Sequence, residues 1–155
     1  MKVLVLTVSD RAFIGEYEDK SGPVIKDIIL EKYKEASVTN IVIPDEEEAI
    51  LKLLENPKDF DFIITTGGTG LGPRDLTPEL TEKVCDKALP GIAEALRYES
   101  YKETPNAMLS RSFAGLKNKT IIVNFPGSVK AAICCTKTLL PILEHGPRMI
   151  RGDGH

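Results

Sequence analysis

The sequence predicts a three-layer α/β/α domain built on a mostly parallel central sheet. Three observations predict it. Lys2–Ser9, Asp61–Thr66 and Thr120–Asn124 are runs of aliphatic and β-branched residues, the pattern of strands buried on both faces. Segments with apolar residues at helical spacing stand between these runs. No repeat, low-complexity tract or linker interrupts the 155 residues, which match the size of one ordinary domain. Residues 1–150 are therefore expected to form one domain, with 151–155 as a short, partly disordered tail.

Lys2–Ser9 is the first strand, followed by a polar stretch, Asp10–Ser21. From Gly22-Pro23 to about Glu35 the spacing of Val24, Ile25, Ile28 and Ile29 predicts a helix, with Ser21 as its N-cap. Val38–Ile43 is a second strand stopped by Pro44. Asp45 can cap the acidic helix Glu46–Glu55, whose Ala49, Ile50, Leu53 and Leu54 make an apolar stripe. Asp61–Thr66 runs straight into Gly67-Gly68-Thr69-Gly70. Thr77-Pro78-Glu79 opens a helix that Pro90-Gly91 breaks; a further helix covers Ile92–Tyr98, and a short one Pro105–Arg111. Thr120–Asn124 is the last strong strand. A final helix runs from Ser128 to about His145, with a kink expected at Pro141.

Composition excludes several classes. No apolar run approaches the roughly 18 residues of a membrane span, and Val3–Val8 lacks a following cleavage site, so a cytoplasmic address is expected. Residues 1–75 carry 9 basic and 15 acidic side chains and residues 76–155 carry 11 and 8, which is not the basic footprint of a nucleic-acid binder. Cys85, Cys134 and Cys135 have neither disulfide nor zinc spacing and are expected as reduced, mostly buried thiols.

In open α/β sheets ligands bind beyond the carboxyl ends of the strands, and that is where the chemistry-bearing residues fall. The strongest signal is TTGGTGLGPRD, Thr65–Asp75. Glycines at 67, 68, 70 and 72 let backbone N–H groups approach a phosphate closely, and Thr66 and Thr69 add hydroxyls. It is neither a Walker A loop nor a dinucleotide fingerprint. Asp45 and Asp75 both follow strands, so both can face one pocket, and Mg²⁺ favours one or two carboxylates plus phosphate oxygens. Each also has a plainer reading: Asp45 as a helix N-cap, Asp75 as a turn carboxylate paired with Arg74.

Thr65–Glu79 (TTGGTGLGPRDLTPE) resembles the signature of the molybdopterin adenylyltransferases, the MogA/MoaB group related to the G domains of gephyrin and of plant Cnx proteins. Ser9–Pro23, Val42–Glu46, Ala88–Arg97, Ala107–Gly115 and Phe125–Ala131 resemble further motifs of that family in the same order, so the resemblance covers nearly the whole chain. The long Ser9–Pro23 segment is more similar to the Mog type. Gly72 and Val129 depart from the family pattern, in a way expected to loosen the pocket.

The resemblance implies the molybdenum-cofactor-biosynthesis fold and transfer of an adenylyl group from ATP to the phosphate of molybdopterin. It implies Mg²⁺, with Asp75 first and Asp45 second as catalytic and metal-binding carboxylates. Gly67, Gly68, Thr69 and Gly70 would hold the nucleotide, with Thr66 also among the ligand-binding residues. Ser9, Asp10, Ser21, Ser110, Arg111 and Ser128 would help form the pterin and phosphate side, and Pro126 and Gly127 complete the ligand-binding set. A homotrimer and transient contact with other cofactor-biosynthesis enzymes are also implied. The alternative is a non-catalytic molybdopterin-binding or scaffold protein of the same fold; two metal-competent carboxylates favour the enzyme.

Overall fold

A computed structural model describes residues 1–153. In chain order the elements are β1 (Lys2–Val8), α1 (Asp10–Phe13), α2 (Ser21–Lys32), β2 (Ser37–Ile43), α3 (Glu47–Leu54), β3 (Phe62–Thr66) and α4 (Thr77–Val84). There follow β4 (Lys87–Ala88), α5 (Pro90–Tyr101), a 3₁₀ segment (Pro105–Leu109), β5 (Ala114–Lys117), β6 (Thr120–Phe125), α6 (Val129–Leu143) and α7 (His145–Arg151). The strands form one six-stranded sheet in the order β2-β1-β3-β6-β5-β4. β2, β1, β3 and β6 are parallel; β5 and β4 continue the sheet antiparallel.

Alternation along the central strands creates the three layers. Val3, Val5, Phe62, Ile64, Ile121 and Val123 point to one face, where Ile25 and Ile29 of α2, Leu96 of α5 and Leu139 of α6 cover them. Leu4, Leu6, Val8, Ile63 and Ile122 point to the other, against Ile50 and Leu54 of α3 and Leu80 and Val84 of α4. Every residue of β3 and β6 is buried, as continuous apolar runs in parallel strands require.

The structure corrects several local expectations. Ser21 is the first residue of α2 and not its cap; the Asp19 carboxylate instead accepts the Ser21 and Gly22 N–H groups at 3.0 and 3.1 Å. Asp45 does not cap α3, whose N-cap position is Glu46, without a side-chain bond. Pro90 opens α5 and does not interrupt a longer helix. Within Asp10–Ser21 the short helix α1 forms because Ser9 Oγ accepts the Ala12 N–H at 3.2 Å. β4 and β5 had no sequence signal, being two and four residues long. Pro141 lies inside α6, which ends at Leu143. The expected tail begins where α7 ends: Gly152, at φ +76°, closes that helix, and 154–155 lie outside the described residues.

Candidate active site

The parallel strands deliver four loops to one edge of the sheet: Ser9-Asp10 after β1, Pro44-Asp45 after β2, Gly67–Gly70 after β3 and Pro126–Ser128 after β6. Two glycines let these loops meet. Gly67 has φ +107°, and a Cβ there would lie 2.3 Å from the Val8 carbonyl oxygen. Gly68 has φ +67°, and its Cβ would lie 2.2 Å from Thr77 Oγ1 and 3.4 Å from Asp45 Oδ1. No other residue type fits this backbone and these contacts.

Two cavities open over the loops. The first, about 550 Å³, is walled by Gly67–Leu71, Asp75, Ser110, Ser112 and Arg97, over a floor of Leu96, Ala107, Ala131 and Cys135. The second, about 530 Å³, is walled by Thr7, Tyr17, Asp19, Lys20, Ser21 and Thr66. Gly67, Gly127 and Ser128 line both, so the two cavities are neighbours that share a wall at the ends of β3 and β6.

The acidic groups are tied to one another through backbone. Asp45 Oδ2 accepts the Asp10 N–H and Asp10 Oδ1 accepts the Asp45 N–H, both at 3.0 Å. Arg74 bridges the pair from the glycine loop, reaching Asp10 Oδ2 at 2.6 Å and donating to the Asp45 carbonyl at 3.2 Å. Burial pushes the Asp45 carboxyl above its ordinary value, and the charges of Asp10 and Asp75 push it the same way; the Asp10 N–H and Arg74 oppose them. Asp75 is not Arg74's partner. Its Oδ2 accepts the Gly72 N–H at 2.8 Å, and a Cβ on Gly72 would lie 2.8 Å from that oxygen. The unusual Gly72 therefore leaves room for the Asp75 carboxylate to close onto its amide.

The remaining predicted residues divide by placement. Gly67, Gly68, Thr69, Gly70, Asp75, Ser110, Pro126, Gly127 and Ser128 line the first cavity. Ser21 and Thr66 line the second, although their hydroxyls donate to Gly127 O and Pro126 O, both at 2.9 Å. Ser128 also caps α6 through the Ala131 N–H at 3.1 Å. Ser9, Asp10, Asp45 and Arg111 are not among the wall residues of either cavity. Ser9 caps α1 and shares a 2.9 Å hydrogen bond with the Tyr17 hydroxyl. Arg111 is committed to the scaffold of the glycine loop.

The sequence profile of the probable molybdopterin binding domain family matches residues 4–145. The chain belongs to this family. Among relatives, the molybdopterin adenylyltransferase of Helicobacter pylori is 42% identical over 159 residues, covering 96% of this chain and 87% of that protein. A solved structure of MogA superposes with a TM-score of 0.90 at 35% identity, over 97% of this chain and 99% of that one. The MoaB structure from Thermus thermophilus gives 0.86 at 41% identity, over 97% and 96%. Mog and Moa members of the molybdopterin-binding family thus share this architecture.

Within that family frame, sequence reasoning passed over several residues. Asp19 accepts the Thr7 hydroxyl at 2.7 Å and Asn40 Nδ2 at 3.3 Å besides the two α2 amides, fixing one wall of the second cavity. An aspartate two residues before Ser-Gly-Pro is a capping signal that could have revealed it. Arg97 lines the first cavity and donates to the Ser112 carbonyl at 2.7 Å. Thr77 Oγ1 is buried without a hydrogen-bond partner, against Gly68. That orphaned oxygen and Asp45 Oδ1 both abut Gly68, and such hard oxygen donors suit Mg²⁺. No cluster of three or more His, Cys, Asp or Glu capable of holding a metal occurs among the described residues, so an ion here would draw further ligands from phosphate and water.

Proposed function

We propose that this protein transfers an adenylyl group from ATP to the terminal phosphate of molybdopterin, with release of pyrophosphate, in assembly of the molybdenum (or tungsten) cofactor. The observation that carries the reading is the wall that two cavities share at Gly67, Gly127 and Ser128, with Asp75 lining the first of them. Two ligands seated side by side meet there, as a transfer between phosphates requires. Family membership and the adenylyltransferase of Helicobacter pylori support the same chemistry.

In this reading a phosphate oxygen of molybdopterin attacks the α-phosphorus of ATP in line. A new P–O bond forms and the bond to the β-phosphate bridging oxygen breaks, its electron pair leaving with pyrophosphate. No protein nucleophile is needed; positioning and charge neutralisation carry the step. The Gly67 and Gly72 amides are engaged by Phe125 O and Asp75 Oδ2, so the amides of Gly68, Thr69 and Gly70 are the ones that would receive phosphate oxygens, and Gly127 with the amino end of α6 offers further donors. Asp45 and Asp75 would hold Mg²⁺, which when bound neutralises the developing phosphate charge. Asp10 and Arg74 hold Asp45 in place through the reciprocal backbone bonds. Thr69, buried at 4% exposure, braces the loop beneath the ligands.

A homotrimer extends the proposal. Tyr98, Tyr101, Met108 and Leu109 are each more than half exposed and offer apolar surface for self-association. No helix among the described residues is long and apolar enough to cross a membrane, in keeping with a cytoplasmic site of action. The enzyme reading is tested by pyrophosphate release from Mg–ATP on addition of anaerobically prepared molybdopterin. Release that needs both the pterin and Mg²⁺ is expected; tight pterin binding without release would favour the non-catalytic module.

A further inference from the structure

The guanidinium of Arg111 is absent from both cavity walls although its neighbours Ser110 and Ser112 line the first. It is turned behind the wall. Nε donates to the Gly70 carbonyl at 2.8 Å and Nη2 to the Asp75 carbonyl at 2.5 Å. Nη1 pairs with the carboxylate of Glu79 in the first turn of α4, and the Arg111 N–H donates to the Thr69 carbonyl at 3.1 Å.

We propose that Arg111 is a positioning residue for adenylyl transfer, fixing the glycine loop and the Asp75 carboxylate against the first cavity. This rests on the functional reading above. One planar fork pins both ends of the segment Gly70–Asp75. Gly70 and Gly72 give that segment wide conformational freedom when unrestrained. The bonds from Asp75 N to Gly72 O (3.1 Å) and from Gly72 N to Asp75 Oδ2 (2.8 Å) close it into a ring but do not orient the ring toward the cavity. Arg111 supplies that orientation, because it approaches from outside the loop and is itself anchored by Glu79. Its side chain is 33% exposed and that of Glu79 51%, so the two bonds to backbone carbonyls, more than the ion pair, hold the fork in place. The other tether, Arg74 to Asp10, is 63% exposed on the arginine side and holds the loop through Arg74 alone, with no hydrogen bond to Gly70 or Asp75. A lysine could not replace Arg111: one ammonium cannot span two carbonyls and a carboxylate in a fixed fork.

The experiment compares the full chain with Arg111→Ala, Arg111→Lys and Glu79→Gln. Steady-state kinetics with Mg–ATP and molybdopterin are combined with calorimetric binding of each ligand and amide exchange across 66–80. For Arg111→Ala, kcat falls on the order of 10- to 100-fold, while both KM values move by less than about threefold. Exchange accelerates in the loop and not in β3, and added guanidinium ion restores part of the rate. Arg111→Lys recovers little, and Glu79→Gln loses rate in the same direction by a smaller factor. A wild-type kcat in Arg111→Ala overturns the proposal. So does a loss confined to KM, which would make Arg111 a ligand contact. Should Arg111→Ala not fold, unaltered kcat and loop exchange in Glu79→Gln overturn it. If wild-type protein forms no adenylylated product the functional reading falls, and loop exchange alone then decides whether Arg111 restrains the loop.

Discussion

Asp10 and Asp45 each accept the other's backbone N–H at 3.0 Å, so the ends of β1 and β2 are locked by two carboxylates facing one another. Like charges this close are costly, and burial and the charges of Asp10 and Asp75 raise the Asp45 carboxyl above its ordinary value. A carboxyl raised in the folded state contributes stability below its unfolded pKa and loses it as pH rises through the folded value. Asp45→Asn keeps an oxygen to accept the Asp10 N–H and removes the charge. The variant is therefore expected to melt higher than wild type at neutral pH, with the gap closing in acid. Its transfer rate is expected to fall on the order of 100-fold. Thermal melts across pH, beside initial rates, check both halves.

Gly67 makes a sharper prediction about the loop. With φ +107° and a Cβ position 2.3 Å from the Val8 carbonyl oxygen, Gly67→Ala must move backbone on both β1 and β3. A loss of about 3 kcal/mol is expected in urea unfolding, with activity lost as the wall shared by the two cavities shifts.

Asn124 tests the scaffold below the site. Fully buried on β6, it donates to Thr65 Oγ1 and Thr81 Oγ1, both at 2.9 Å, and accepts the Phe113 N–H at 3.3 Å. These bonds join β3, α4 and the start of β5. Asn124→Ala leaves Thr65 Oγ1 and the Phe113 N–H unpaired, while Thr81 keeps its bond to the Thr77 carbonyl, and is expected to cost about 2–4 kcal/mol, read by urea unfolding.

The cysteines give a check independent of catalysis. Cys135 is 1% exposed and burial pushes its thiol up to about 12, while Cys85 is pushed up to about 11 by burial and then by Asp86. Native protein at pH 8 is expected to alkylate at Cys135 at least about 100-fold more slowly than unfolded protein, measured by peptide mapping after timed iodoacetamide quenches.

Much of this was legible in the residues. The aliphatic runs of β1, β3 and β6 announced buried parallel strands, and the rule that ligands sit beyond strand ends placed Gly67–Gly70, Asp75 and Ser128 on one edge from the residues alone. What escaped has physical causes. β4 and β5 are short and antiparallel, specified by pairing with β6 and not by their own pattern. The placement of the Arg111 guanidinium on Gly70, Asp75 and Glu79 was hidden because a motif gives a residue's neighbourhood but not the direction of its side chain. Arg74 looked like the partner of adjacent Asp75, yet the turn sends it across to Asp10. Such long-range pairings leave no local trace in sequence.

The most direct test of the central claim is mass-spectrometric detection of adenylylated molybdopterin. Purified protein is incubated anaerobically with ATP, Mg²⁺ and molybdopterin, beside Asp75→Asn. A Mg²⁺-dependent product carrying one adenylyl group is expected, lost or strongly reduced in the variant. Folded, pterin-binding wild-type protein that yields no such product would contradict it.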